Sequence, residues 1–358
     1  MTIGGRTLAR ARLRVRRPGG GPRTAALAVV GLAALAVVVV LAVGAGSVAL
    51  APGDTLGILL RAAGLPLERT WSAAAETIVL ELRLPRVLTA VVVGAGLAVA
   101  GATFQGLLRN PLADPYVLGT ASGAALGAAI AVLVPVRVAL LDLGLLNALA
   151  FAGGLAAVAV VYRLGRGGPL APLTGLLLTG YAVGSLLAAG LAMTMYLSGA
   201  NLRQIFAFLL GGREGSSWLR LAVTAPLVIG GSLAILARAR SLNGLLLGEE
   251  AAAHLGVDVR RERGILLGLA TLVTAAAVAV SGLIGFVGLV APHLVRLAVG
   301  PNARHVLPLA AILGAVLLVG ADLVARLLGE IPVGVVTAVI GAPFFLALLR
   351  TARGGYEL

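Results

Sequence analysis

Long apolar segments separated by short charged loops make up most of the chain. Nine windows contain no charged residue: 24–53, 87–108, 115–136, 143–162, 167–202, 221–237, 264–295, 306–321 and 331–349. A helix needs about 20 apolar residues to cross a bilayer, and most of these windows reach that length. The pattern therefore predicts an all-α, polytopic membrane protein.

One of the windows, 264–295, is too long for a single straight helix and contains several glycines. Because glycine is a poor helix former, we predict two helices there, broken near Ser281-Gly282, with the second one short. The total then becomes ten membrane helices. The segment 54–83, between the first two spans, mixes charged and apolar residues, which predicts an amphipathic helix at the membrane surface.

The distribution of arginine supports the count of ten. All 28 basic residues are Arg, and the formal net charge is +14. With both termini in the cytoplasm, ten spans place 19 arginines on the cytoplasmic side and 9 outside, as the positive-inside rule expects. Because the arginines lie between apolar windows, they favour control of topology over binding of nucleic acid.

The same charge pattern divides the chain into three parts. We predict an Arg-rich cytoplasmic tail at 1–23, a membrane domain at 24–350 and a cytoplasmic tail at 351–358. An export signal is the alternative interpretation of the first residues. However, the uncharged window 24–53 is much longer than the apolar core of a cleavable signal, which has about 7 to 15 residues.

Composition restricts the chemistry that this chain can perform. It has no Cys and only three scattered His, which excludes thiol chemistry and gives no metal-ligand spacing. The phosphate-binding loop of ATP-hydrolysing proteins requires a Lys, and the chain has none. We therefore predict no catalytic residue, no metal site and no cofactor in this chain. If transport is driven by ATP, another polypeptide must bind the ATP and Mg.

If the protein is a transporter, an ion gradient is the alternative to ATP as its energy source. Proton- and ion-coupled transporters generally carry ionisable groups within their spans, and the predicted spans are almost free of them. This absence disfavours an ion-coupled transporter. Such a transporter, or a channel, is kept as the alternative from a different functional class.

Charge is concentrated in one stretch, "LGEEAAAHLGVDVRRERG" at 247–264. Glu249 and Glu250 suit the first turn of a short helix, Gly256 would end it, and Asp258 would cap the next helix. The stretch predicts a helix–turn–helix with an exposed face of small residues, suited to contact a partner protein. A solvated loop that only sets topology is the alternative.

Several further motifs occur in a fixed order along the chain. They are "RLPR" (83–86), "GATFQGLLRNPLADPYVLGTASGA" (101–124), "LNGLLLGEEAAAHLGV" (242–257), "GLIGFVGLVAPHLVRLAVG" (282–300), "AD" (321–322) and "GEIPVGVVTAVIGAPFF" (329–345). In these residues the chain resembles the FecCD family, the permeases of bacterial ABC importers for iron–siderophore complexes, haem and vitamin B12. The resemblance implies the architecture of a type II ABC importer permease in the cytoplasmic membrane, and no enzymatic activity in this subunit.

The resemblance also implies partners and cargo. It implies a second copy of the chain or a close paralogue, two cytoplasmic ATPase subunits and an extracytoplasmic substrate-binding protein. The expected cargo is a ferric siderophore, with haem or cobalamin as alternatives on the same fold.

Three groups of site residues follow from the resemblance. The ATPase-coupling segment would be Gly248, Glu249, Glu250, Ala251, Ala252, Ala253, His254, Leu255, Gly256, Val257 and Asp258. Docking of the binding protein would use Arg83, Arg86 and Arg326, which the ten-span topology places at the outer surface; snorkelling arginines at the interface are the alternative. The pathway or gate would include Pro172, Thr174, Thr179, Tyr181 and Ser185, for which plain helix packing is the alternative.

Overall fold

The computed structural model of the chain describes residues 21–46, 48, 50–134, 144–165, 173–212 and 216–351. Every regular element in these ranges is helical. The helices are α1 (Gly21–Gly44), α2 (Pro52–Ala62), α3 (Ala73–Thr77), α4 (Leu84–Leu107), α5 (Thr120–Leu133), α6 (Gly144–Leu164), α7 (Leu173–Leu197), α8 (Leu202–Leu209), α9 (Trp218–Ala237), α10 (Ala239–Leu246), α11 (Glu249–His254), α12 (Val259–Ser281), α13 (Val287–Val299), α14 (Ala303–Leu327) and α15 (Val333–Thr351). A π-helical segment, Ile78–Arg83, joins α3 to α4, and a 3₁₀ turn, Gly199–Asn201, precedes α8.

Ten of these helices are apolar and correspond to the ten predicted spans, which confirms the all-α membrane fold. Seven are long enough to cross a bilayer alone, namely α1, α4 with its preceding turns, α6, α7, α9, α12 and α14. The other three, α5, α13 and α15, contain shorter apolar stretches. The predicted break is confirmed, since α12 ends at Ser281 and α13 begins at Val287. The amphipathic segment contains α2.

The centre of the bundle is α4, most of which is buried. Small residues let its neighbours approach closely. A Cβ atom at Gly94 would overlap the backbone of Gly314 in α14, and one at Gly101 would overlap the backbone of Gly288 in α13. The hydrophobic effect does not drive helices together in lipid. Van der Waals packing at such close approach stabilises their association instead.

A non-helical segment between α4 and α5 extends into the bundle. Pro115 packs against Gly288, and Gly288 also faces the carbonyl of Leu97 in the middle of α4. The Tyr116 hydroxyl donates to the Ile284 carbonyl (3.0 Å) and accepts from the Ile284 amide (3.2 Å). Irregular backbone at membrane depth is tolerated where protein surrounds it. This segment crosses part of the bundle, so α5 needs only 14 residues.

The helices define two ends of the bundle. Asn302, which caps α14, lies with α10 and α11 at what we call the α11 end. Asp322, about five turns further along α14, marks the opposite end, called the Asp322 end. Helix α2 and the last turn of α1 lie at the Asp322 end, where Gly44 is close to Thr55.

Candidate functional site

The charged stretch at 247–264 forms the predicted helix–turn–helix. Gly248 (φ 106°) and Gly256 (φ 79°) flank α11 with positive φ angles, which glycine adopts without steric cost. The Asp258 carboxylate accepts from the Arg261 amide at 3.0 Å and caps α12. The local structure predicted from Gly256 and Asp258 is therefore confirmed.

Helices α10 and α11 form a hairpin, residues 238–256, and two ion pairs attach this hairpin to α12. Glu249, in the first turn of α11, pairs with Arg263, and Arg238 pairs with Glu262 at 2.6 Å. Both pairs are partly buried, with each side chain between 15% and 39% exposed. Together they fix the orientation of α11 relative to the first turns of α12.

A pair of asparagines attaches the same hairpin to α14. Asn243 in α10 donates to Asn302 (Nδ2 to Oδ1, 2.9 Å) and accepts from the Ala303 amide (2.7 Å). The hairpin is thus connected to two spans, α12 directly and α14 through the start of that helix. A displacement of α11 would be transmitted to both.

One part of the predicted contact face is wrong. Ala252 is fully buried, because it faces the side of α10 at Gly244, which has no side chain to keep α11 away. Ala253 and His254 are exposed, and so are the large apolar residues Leu247 and Leu255. The surface available to a partner is therefore this exposed side of the hairpin.

A cleft of about 370 Å³ lies beside the exposed side of the hairpin. It is lined by Arg240, Ser241, Asn243, Gly244, Leu247, Leu255, Val257, Asn302 and Arg304. Exposed leucines next to arginines suit a protein surface that offers an apolar pocket with a carboxylate at its rim.

At the opposite end, a buried carboxylate holds two arginines. Asp322 is fully buried and pairs with Arg86 (3.1 Å) from α4 and with Arg326 (3.3 Å) one turn along α14. Breaking a buried pair is costly because it leaves an uncompensated charge. Asp322 thus connects α4 to α14 at this end of the bundle.

The prediction that all three docking arginines lie on the outer surface is wrong for Arg83 and Arg326. Each is only 7% exposed. Arg83 donates to the carbonyls of Val43 (3.1 Å) and Gly44 (2.7 Å), and Arg326 donates to Ala45 (2.9 Å). They satisfy carbonyls that the end of α1 leaves without helical partners. Only Arg86 is partly exposed.

The predicted pathway residues fall mainly on α7. Tyr181 is 77% exposed and Ser185 is exposed, whereas Thr179 is half-buried. The hydroxyls of Thr179 and Ser185 donate to carbonyls one turn earlier in α7. Pro172 and the side chain of Thr174 lie outside the described residues. The exposed residues do not form an enclosed channel within one copy of the chain.

Long-range polar contacts hold α13 against α4. Gln105 donates to the Leu289 carbonyl (3.1 Å), an interhelical hydrogen bond between α4 and α13. Arg296 donates to the Gln105 amide oxygen and to the Ala102 carbonyl (2.9 Å). The sequence did not predict this role for Arg296. Within the described ranges, no cluster of three or more His, Asp or Glu residues could hold a metal ion.

Comparison with known proteins identifies the family of this chain. The model of the FecCD transport family matches residues 34–351, nearly the whole described chain. The chain belongs to the FecCD transport family. It is therefore an ABC importer permease and a multi-pass membrane protein, rather than the secondary transporter or channel that the sequence alone left open.

Two relatives are named for their cargoes. The FecCD chain is 47% identical over 286 residues to the cobalamin import system permease protein BtuC of Halobacterium salinarum, covering 80% of this chain and 76% of that protein. It is 44% identical over 279 residues to the hemin transport system permease protein HmuU of Yersinia pestis, covering 76% of this chain and 83% of that protein. Both relatives are permease subunits.

A solved structure has the same fold. It is described as an inward-facing conformation of a metal-chelate type ABC transporter, and it is similar with a TM-score of 0.79 and 31% identity, covering 91% of this FecCD chain and 99% of that one.

Proposed function

We propose that this subunit imports a metal chelate across the cytoplasmic membrane, powered by ATP that a separate ATPase hydrolyses. The observation that carries the proposal is the exposed, braced hairpin around α11 in a chain of the FecCD family. An exposed helix connected to two spans suits the transmission of movement from a partner. ATP and Mg belong to that partner.

The α11 end would face the cytoplasm, together with both chain termini. Two ATPase subunits would dock there, one on the hairpin of each permease copy. Arg240 and Arg304 beside the exposed leucines complement an acidic rim on the ATPase. The contact surface consists of Ala253, His254 and the leucines rather than of the buried Ala252.

The Asp322 end would receive an extracytoplasmic binding protein. Arg86 is already partly exposed, whereas Arg83 and Arg326 hold the carbonyls at the end of α1. We infer that Arg86 binds carboxylates of the binding protein and that Arg83 exchanges its backbone carbonyls for them on docking, whereas Arg326 already pairs with the Asp322 carboxylate. A carboxylate is the stronger acceptor, since hydrogen bonds to ionised groups are about twice as strong.

A second copy of the chain, or a close paralogue, would complete the pathway. Helix α7 is the support for this part of the proposal, because Tyr181, Leu186 and Tyr196 are each more than 70% exposed. The hydroxyl of Ser185, midway along the helix, gives this apolar face a weakly polar group. Such walls suit a bulky cargo that must enter and leave without being held.

Cysteine labelling tests the pathway assignment, and the absence of Cys makes the background clean. Ser185→Cys is expected to react with a charged, membrane-impermeant thiol reagent in the assembled importer, because water fills a pathway at that depth. Ala33→Cys is the matched control, at an exposed position midway along α1 that we expect to face lipid, and it should stay unlabelled. Equal protection of both positions would contradict a pathway along α7.

The cargo within the metal-chelate class is the finer part of the proposal. The sequence resemblance favours a ferric siderophore, and the identity to the cobalamin permease makes cobalamin the second candidate. Uptake of ⁵⁵Fe-siderophore and of labelled cobalamin by cells that express the complete importer discriminates them. Uptake of a bare metal ion or an amino acid, with neither labelled chelate taken up, would overturn the metal-chelate assignment.

A further inference from the structure

A second cleft, of about 450 Å³, lies between the end of α6 and the start of α12. It is lined by Tyr162, Asp258, Arg260, Arg261, Gly264 and Ile265. It shares no lining residue with the cleft beside α10, and nothing in the preceding proposal uses it.

The charges at this cleft are not balanced. Arg260 and Arg261 are exposed and form no ion pair among the described residues, in contrast to Arg238 and Arg263 close by. The Asp258 carboxylate is engaged in capping α12 through the Arg261 amide. The mouth of the cleft therefore presents two guanidinium groups that suit an anion, and a phosphate oxygen pair fits their planar geometry.

Beyond the arginines, α12 presents an open face of small residues, which we call the apolar groove. Gly264 and Gly268 lie one turn apart on the same face, and a Cβ atom at Gly268 would meet nothing within 4 Å. The Tyr162 hydroxyl lies 3.0 Å from the position of a Cβ at Gly264 and forms one wall. Leu164, at the end of α6, is 67% exposed and extends the apolar surface.

The depth of the cleft identifies its ligand. Arg260 is the second residue of α12, a 23-residue span, so its guanidinium lies near the membrane–water boundary, while Gly268 lies about two turns deeper. A soluble phosphate would use the arginines but not the groove. Basic pockets between membrane helices on the cytoplasmic side bind anionic headgroups.

We propose that this cleft binds an anionic phospholipid, with the headgroup phosphate on Arg260 and Arg261 and an acyl chain along Gly264 and Gly268. The lipid would lie in the cytoplasmic leaflet, an assignment that rests on the proposed orientation of the α11 end. It would also contact the turn of α12 that carries Glu262 and Arg263, the residues that brace the hairpin. The composition of the leaflet would then influence the position of α11.

Native mass spectrometry of the purified full-length chain tests the site, with phosphatidylglycerol and phosphatidylcholine as probes. Arg260→Gln with Arg261→Gln is expected to weaken phosphatidylglycerol binding about thirtyfold, since each arginine near an anionic surface contributes about a factor of five. Gly268→Phe should weaken it without any change of charge. Arg61→Gln with Arg203→Gln, exposed arginines towards the Asp322 end, should leave it unchanged.

Two outcomes would overturn the proposal. One is phosphatidylglycerol binding that is unchanged in Arg260→Gln with Arg261→Gln. The other is displacement of the lipid by millimolar inorganic phosphate with no effect of Gly268→Phe, which would indicate a soluble anion. If the arginines instead serve the ATPase, the double variant will lose ATPase association and keep the lipid. The lipid-binding measurement itself needs no ATPase and no cargo, so its result is independent of the proposed transport function.

Discussion

Ala253→Glu is expected to abolish association of the ATPase and cargo uptake while leaving the permease folded and inserted. Ala253 is exposed on α11, so a larger charged side chain meets no neighbour within the chain. In the complex the same side chain would be buried against the ATPase, next to a surface that we expect to be acidic. Burial of an unpaired, repelled charge at an interface core should weaken association by at least about a hundredfold.

Copurification of the ATPase with tagged permease measures this effect, and size-exclusion chromatography in detergent checks the fold. Ala62→Glu is the matched control, because it places the same change at an exposed alanine at the Asp322 end. Ala252→Glu should also lose the ATPase, but with a folding defect, since Ala252 is fully buried. Normal copurification of the ATPase with the Ala253→Glu permease would show that α11 does not lie in the interface.

Asp322→Asn is expected to be the most destabilising conservative substitution at the Asp322 end. The asparagine has nearly the same shape but leaves Arg86 and Arg326 without their anion, and Arg326 is buried. Removal of one partner from a buried ion pair costs about 3 to 5 kcal/mol. Because Arg326 also holds the Ala45 carbonyl, we expect α1 to separate from α14 first.

Unfolding in mixed detergent micelles measures the free energy of unfolding of this variant. Glu68→Gln is the control, since Glu68 is an exposed carboxylate near the same end. Its effect should stay within about 0.5 kcal/mol, as is usual for surface substitutions. Equal stability of Asp322→Asn and Glu68→Gln would show that the buried cluster does not hold the spans together.

The local features of this fold could be predicted from sequence because short-range chemistry determines them. Gly256 and Asp258 predicted where α11 ends and α12 begins. The glycine at 282 predicted the break between α12 and α13. Charge-free length predicted the apolar spans. Each of these depends on residues within a few positions of the feature.

Contacts between distant segments could not be predicted in this way. The burial of Arg83 depends on carbonyls 35 or more residues away. Tyr116 and Ile284 are 168 residues apart in sequence. A polar residue at a helix end looks the same in sequence whether it faces water, lipid or the backbone of another helix. Only the packing distinguishes these cases.

The central claim is that ATP-driven movement of a separate ATPase is transmitted to this permease through α11. Cargo uptake by proteoliposomes that contain the permease, the ATPase and the binding protein tests it most directly. Ionophores remove every ion gradient, and ATP is supplied or withheld. We expect uptake to continue with ATP, to stop without it and to be absent with Ala253→Glu. Uptake that proceeds without ATP and collapses when the gradients are removed would contradict the account.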